Sequence, residues 1–222
     1  MSSIRFDPAT TTRLDFPRVD AEDVAKARLI SASTLHEAAG KIGALPSAIR
    51  PIFPGAAVCG PAVTVDSPGA DNLWIHRAIY AAKAGDVLVV RTAGQYAHGY
   101  WGEIMATAAR KRELGGLVID ACVRDRTALE AIGFPVFARG LCIRGTGKDF
   151  QARGWINSPL LMEGVVIHPG DLMVGDVDGV VCVPREKAKE AVQDAVARDA
   201  HESQILKRLE AGETTLDIYG WS

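Results

Sequence analysis

Two short segments of this sequence bring together residue types that can bind and activate a small oxo acid. In Gly99-Tyr100-Trp101-Gly102-Glu103-Ile104-Met105-Ala106-Thr107-Ala108, small residues stand at the mouth of a predicted helix. First-turn N–H groups have no intrahelical acceptor and sit at the positive end of the helix dipole, so the backbone of Gly102, Glu103, Ile104 and Met105 can cradle a carboxylate, such as C1 of a 2-oxo acid. A plainer role fits equally: Gly102 permits a tight loop and Glu103 is an ordinary first-turn acid.

The second segment, Gly116-Leu117-Val118-Ile119-Asp120-Ala121-Cys122-Val123-Arg124-Asp125, reads as a buried strand ending in adjacent opposite charges. Ligands of open α/β folds gather at the carboxyl ends of strands. Arg124 can make paired hydrogen bonds to a keto acid and stabilise an enolate oxygen, while Asp125 can hold a hard cation directly or through its waters. The same pair also suits a helix cap, with Asp125 capping a helix that begins near Arg126 and Arg124 solvated. Spacing leaves both readings open. A single firm carboxylate is a poor calcium cage but suits magnesium, or manganese or cobalt in its place, because such an ion keeps waters and borrows ligands from the substrate. Glu37, Asp120 and Glu103 are the acids available to orient those waters.

Other chemistries find less support. Lys148, in Gly145-Thr146-Gly147-Lys148-Asp149, is the residue a Schiff-base aldolase would use. The same run lacks the first glycine of a phosphate loop, and Asp149 stands where Ser or Thr should follow the lysine. His36 and His76 read as polar members of amphipathic helices, and no H-E-x-x-H or H-x-H occurs. Cys59, Cys122, Cys142 and Cys182 stand singly in apolar segments without zinc spacing and read as reduced. No glycine-rich cofactor fingerprint follows a strand.

The elements that must position these residues alternate. After a polar lead-in over residues 1–20, Ala21 to Gly40 reads as helical, with Ser33 or Thr34 as an internal cap. Strands are predicted at Ala57–Val65, Asp86–Arg91, Leu117–Val123, Pro135–Ala138, Val165–His168, Asp171–Val174 and Val180–Val183. Helices are predicted at Asn72–Ala84, Gly102–Leu114 and Arg126–Ile132. This is the alternation of an α/β fold with parallel pairing in the middle. The turns Pro169-Gly170-Asp171 and Asp176-Val177-Asp178-Gly179 are spaced for hairpins, so a mixed sheet is expected. A charged amphipathic helix over residues 185–211 closes the chain, its apolar stripe formed by Ala188, Ala191, Val192, Ala195 and Val196.

At 222 residues, 48% hydrophobic and 23% charged, the chain is expected to form a single domain with a sizeable core. A formal net charge of -2 without a basic stripe argues against nucleic acid. No apolar run approaches the ~20 residues that span a bilayer, and the start lacks a signal-peptide core, so no membrane contact and a cytoplasmic location are expected.

The strings G-Y-W-G-E-I-M-A-T, G-L-V-I-D-A-C-V-R-D, G-F-P-V-F and H-P-G-D-L-M-V-G-D-V-D-G-V-V-C-V-P, in this order, resemble the RraA-like family. Within it the sequence is most similar to the 4-hydroxy-4-methyl-2-oxoglutarate and 4-carboxy-4-hydroxy-2-oxoadipate aldolases, from about Thr34 to Leu209. Pro68–His76 and Gly43–Gly55 favour that branch over its regulatory relatives, while Ala93-Gly94-Gln95-Tyr96-Ala97-His98 departs from the Ser/Thr/Asp-containing loop expected before G-Y. The resemblance implies an α-β-β-α sandwich of mixed sheets of the swivelling β/β/α type, assembled as a homotrimer or homohexamer. It implies a divalent-metal aldolase that releases pyruvate from a 4-hydroxy-2-oxo diacid and decarboxylates oxaloacetate as a side activity. Residues 102–105 would then bind the pyruvate moiety, Arg124 would contact its oxygens and Asp125 would take the metal. Two alternatives remain: a non-catalytic regulator of an RNA-processing enzyme, and a primary oxaloacetate decarboxylase.

Overall fold

The computed structural model describes residues 7–222. After a 3-10 turn at Pro8–Thr11, the helices are α1 (Ala21–Ala27), α2 (Ala32–Ala38), α3 (Leu73–Ala81), α4 (Glu103–Lys111), α5 (Arg126–Ile132), α6 (Arg185–Glu210) and α7 (Thr215–Tyr219). The strands are β1 (Arg50–Pro51), β2 (Val58–Asp66), β3 (Val87–Arg91), β4 (Gly116–Val123), β5 (Val136–Leu141), β6 (Trp155–Ile156), β7 (Leu160–Met162), β8 (Val165–Ile167), β9 (Leu172–Asp176) and β10 (Gly179–Val183).

One mixed sheet runs in the order β1-β5-β4-β3-β2-β9-β10, with β6 also on β2 and a separate β7-β8 ribbon. The run β2-β3-β4-β5 is parallel, as the alternation predicted. Its strands read as apolar runs, Val87-Leu88-Val89-Val90 and Leu117-Val118-Ile119, because both faces are covered. Strand β2 changes partner midway. Val58 to Pro61 pair antiparallel with β9, whereas Ala62 to Asp66 pair parallel with β3.

There are two apolar clusters, the larger of which also takes in Met173, Val180 and Cys182 from β9 and β10. Trp74, Ile75, Ile79, Met105, Leu129 and Phe134 pack with β3, β4 and β5, while Val24, Leu35, Ala188, Ala191, Val192 and Ala195 pack with Leu172, Val174, Val181 and Val183. Helices thus cover each half of the sheet, the layering the sequence resemblance implied.

Two local expectations need correction. The helical stretch from Ala21 to Gly40 is two helices, because Ser31 rather than Ser33 or Thr34 is the cap, its Oγ accepting the Thr34 N–H at 3.0 Å. The Pro169-Gly170-Asp171 turn is not a hairpin, since β8 pairs with β7 and β9 pairs with β2 and β10. Buried Asp171 fixes the crossing by accepting the His168 N–H at 2.8 Å and the Arg185 N–H at 3.0 Å. The short strands β1, β6 and β7 and helix α7 carry no periodic pattern long enough to read.

Candidate active site

Three segments converge at the carboxyl ends of the parallel strands. The stretch after β3 lays itself along the end of β4: the Cys122 N–H donates to Tyr96 C=O at 2.9 Å, the Tyr100 N–H to Cys122 C=O at 3.2 Å, and the Arg124 N–H to Trp101 C=O at 2.9 Å. The mouth of α4 is thereby fastened beside Arg124 and Asp125. Tyr100 secures it further, its hydroxyl donating to Gln95 C=O at 2.7 Å and accepting the Ala70 N–H at 2.8 Å.

Asp125 adopts a left-handed conformation (φ 61°) and makes no side-chain bond to the start of α5. Its Oδ2 instead accepts the backbone N–H of Glu103 at 3.1 Å, on a different helix. The helix-cap alternative therefore fails for α5. Ile104 and Met105 keep first-turn N–H groups for which the described residues provide no acceptor. Gly102 is extended, so its backbone does not demand glycine, but a Cβ there would lie 2.2 Å from Asp125 Oδ2. A Cβ on Gly99 would lie 2.4 Å from Cys142 C=O and 3.0 Å from Arg124 Cδ. Gly102 is required by the close approach of Asp125, and Gly99 chiefly by the Cys142 backbone carbonyl.

Arg124 and Asp125 stand between two hollows. One, of about 230 Å³, is lined by Asn72, His76, Gly99, Tyr100, Gly102, Ile104, Met105, Arg124, Asp125, Gly145, Thr146 and Lys148. The other, about 310 Å³, is lined by Arg124, Asp125, Arg126, Leu141, Cys142 and Ile143. A larger hollow of about 520 Å³ lies elsewhere, between the front helices and the opposite strand ends, and contains none of the predicted residues. Two of its polar side chains are engaged: Arg28 donates to Cys59 C=O and Asp176 accepts the Ala32 N–H.

Sequence reasoning missed half of the 230 Å³ cleft. Asp71 accepts the Leu73 N–H and the Asp149 N–H, and the Gly147 N–H donates to Ala70 C=O at 2.7 Å, so the 145–149 loop is pinned over the start of α3. This brings Lys148 to the cleft with no ion-pair partner among the described residues. Arg124 has only Asp125, Nε to Oδ2 at 3.7 Å. Burial, and then the nearby Lys148 ammonium, pulls the His76 imidazole below its ordinary range and favours its neutral form. Asn72 Nδ2 donates to Tyr100 C=O at 2.9 Å, leaving its buried Oδ1 without a partner in the structure. The Pro68–His76 motif and the lysine of Gly145-Thr146-Gly147-Lys148-Asp149 were the two signals pointing to this wall, but nothing in the sequence joined them.

None of the three acids considered for orienting a metal's waters lines either hollow, Glu103 included. Glu37 lies in the opposite helical layer, 3.6 Å from Lys41 Nζ and 3.8 Å from Arg198 Nη2, so it is removed from the water-orienting set within this chain. Asp120 is buried behind Arg124 and accepts Arg139 Nε at 2.6 Å. Among the described residues no group of three His, Cys, Asp or Glu side chains could hold a metal. That argues against a closed zinc or calcium cage. A half-exposed carboxylate beside open space still fits a hard ion that keeps most of its waters.

The architecture is a single mixed α/β domain built on one nearly closed sheet, with a cleft at the strand ends whose free cations face a small volume. The family model described as RraA-like, Aldolase/RraA, matches residues 20–182, and the chain belongs to that family. A Halalkalibacterium halodurans protein provisionally named 4-hydroxy-4-methyl-2-oxoglutarate aldolase is 33% identical over 183 residues, 82% of this chain and 86% of that one. An uncharacterised Pseudomonas syringae protein superposes with a TM-score of 0.77 at 28% identity, over 90% of this chain and 97% of that one. Streptomyces coelicolor RraAS2, described as an unusual member of the RNase ES inhibitor RraA family, superposes with a TM-score of 0.74 at 29% identity, over 86% of this chain and 100% of that one.

Proposed function

We propose that the chain is a divalent-metal-dependent lyase that cleaves a 4-hydroxy-2-oxo diacid, 4-hydroxy-4-methyl-2-oxoglutarate or 4-carboxy-4-hydroxy-2-oxoadipate, to pyruvate and a second 2-oxo acid. The observation that carries this reading is the convergence of Arg124, Asp125 and the free first-turn N–H groups of α4 on one cleft whose far wall holds an unpaired lysine. One carboxyl-binding backbone and two separated cations match a substrate with a carboxylate at each end.

The Ile104 and Met105 N–H groups receive the C1 carboxylate, and Arg124 donates to the 2-keto oxygen. Lys148 faces the distal carboxylate. Asp125 would hold the cation, Mg2+ first and Mn2+ or Co2+ in substitution, which when bound would supply Lewis-acid polarisation of the keto group. As the 4-hydroxyl proton leaves to water, the C3–C4 bond breaks and its electron pair runs to the C2 oxygen. There the Arg124 guanidinium opposes the developing charge. Protonation at C3 completes pyruvate. Decarboxylation of oxaloacetate generates the same enolate and is expected as a side activity.

Exposed Leu141, Ile143 and Ile104 rim this mouth, which supports assembly as a homotrimer or homohexamer, readable from the mass in solution. No described helix is long and apolar enough to cross a membrane. A lactate dehydrogenase-coupled screen of hydroxy-oxo diacids and oxaloacetate, with and without chelator, tests the reading. Absence of pyruvate from the whole panel under magnesium would remove it and favour a non-catalytic regulator, the role printed for the RNase ES inhibitor RraA family to which RraAS2 belongs. A kcat/KM favouring oxaloacetate would make decarboxylation primary.

A further inference from the structure

Strand β4 carries one residue more than its neighbour. On β5 the partners of Ile119 and Cys122 are Ala138 and Gly140, so Asp120 and Ala121 together face the single residue Arg139. Side chains alternate along a strand, and an inserted residue reverses that alternation for everything beyond it. Ala138 and Gly140 share a face of β5. Ile119 and Cys122 therefore share the corresponding face of β4, and Arg124 falls on it too. Without the extra residue, Arg124 would stand on the opposite face, away from the cleft it now lines.

Such a bulge interrupts the ladder and needs something to hold it. Arg139, the residue facing it, does so in three directions. Its Nε donates to Asp120 Oδ1 at 2.6 Å, its Nη2 donates to Glu163 Oε1 at 2.6 Å, and its guanidinium lies 4.2 Å from the centre of the Tyr96 ring. Tyr96 in turn accepts the Cys122 N–H, the first ladder bond beyond the bulge on the other edge of β4. The guanidinium is thus fixed to the bulged residue, to the β7-β8 turn and to the loop that carries Gly99 to Arg124. It lines neither hollow.

We propose that Arg139 is a positioning residue, which locks the Asp120–Ala121 bulge and so sets the direction in which Arg124 and Asp125 leave the strand. Its kinetic consequence rests on the aldolase reading above. Its structural consequence does not: if the bulge relaxes, the contact between Asp125 and the Glu103 amide must change.

The double variant Asp120→Asn/Arg139→Met removes the guanidinium without stranding a buried carboxylate. Arg139→Lys keeps the charge and loses the fork. In the double variant the Glu103 amide resonance should move while amides of β9 and β10 stay in place. Its kcat for pyruvate release should drop on the order of 10- to 10²-fold, with KM little changed, as for misplacement of reacting groups. Arg139→Lys should fall between the two in both readouts. A folded double variant with the parental Glu103 resonance and the parental kcat would overturn the proposal. If that variant does not fold, an Arg139→Lys protein indistinguishable from the parent in both readouts overturns it instead. Should the parent release no pyruvate, the function reading fails and the Glu103 resonance alone decides this one.

Discussion

Asp125 Oδ2 reaches across 22 residues of sequence to accept the Glu103 N–H, so the carboxylate at the end of one strand caps the start of a different helix, α4. Asparagine preserves an acceptor there and tolerates the left-handed backbone. Asp125→Asn should therefore cost no more than about 1 kcal/mol of stability, within the range of a weakened cap. It should abolish metal-dependent pyruvate release. Paired thermal melts and coupled assays check both, and an active variant would remove the site as drawn.

Gly102→Ala places a methyl group on that carboxylate. Because Asp125 must move to admit it, the rate should fall sharply, and stability by about 1–3 kcal/mol as in other overpacked sites. Crystallography of the variant should find Asp125 displaced from Glu103.

Arg124→Ala should lower kcat by roughly two or more powers of ten, the size expected for a lost partner of transition-state charge. Arg124→Lys should recover only part of it, since an ammonium lacks the planar fork. Steady-state kinetics on aldol substrate and oxaloacetate should show parallel losses.

Lys148 separates two chemistries. If Lys148 is a carboxylate partner, Lys148→Met should raise KM for diacids, and borohydride treatment of the parent with pyruvate should have no effect. A pyruvyl adduct at Lys148 in a mass spectrum would instead reveal a Schiff base.

The same replacement has a sign at His76. Its imidazole is held below the ordinary histidine range first by burial and then by Lys148. Lys148→Met should thus raise the His76 titration midpoint without restoring it fully, as followed by proton resonance. Since the folded form binds this proton less readily than the unfolded chain, the contribution of His76 to stability is complete above its unfolded range and is lost as pH falls through the folded midpoint.

The parallel core and the Arg124–Asp125 end of β4 were legible because apolar runs of strand length bounded by glycine have few other outcomes. The cleft's second wall was not. Lys148 reaches it because the Asp149 N–H, 78 residues away, donates to the Asp71 carboxylate, and long-range polar contacts leave no periodicity. The bulge was equally hidden, since Asp120 and Ala121 look like any two strand residues until Arg139 is seen opposite them. Ser31 was passed over as a cap because Ser33 and Thr34 offer the same chemistry two and three positions on.

Strand β2 belongs to both halves of the sheet, and its Cys59 and Val63 sit in different apolar clusters. No plane of weakness therefore runs between the halves: tearing one away strips hydrogen bonds from a chain segment that the other also needs. Heating should produce a single calorimetric peak whose width matches its area, and a shoulder would mean that the shared strand does not weld the two.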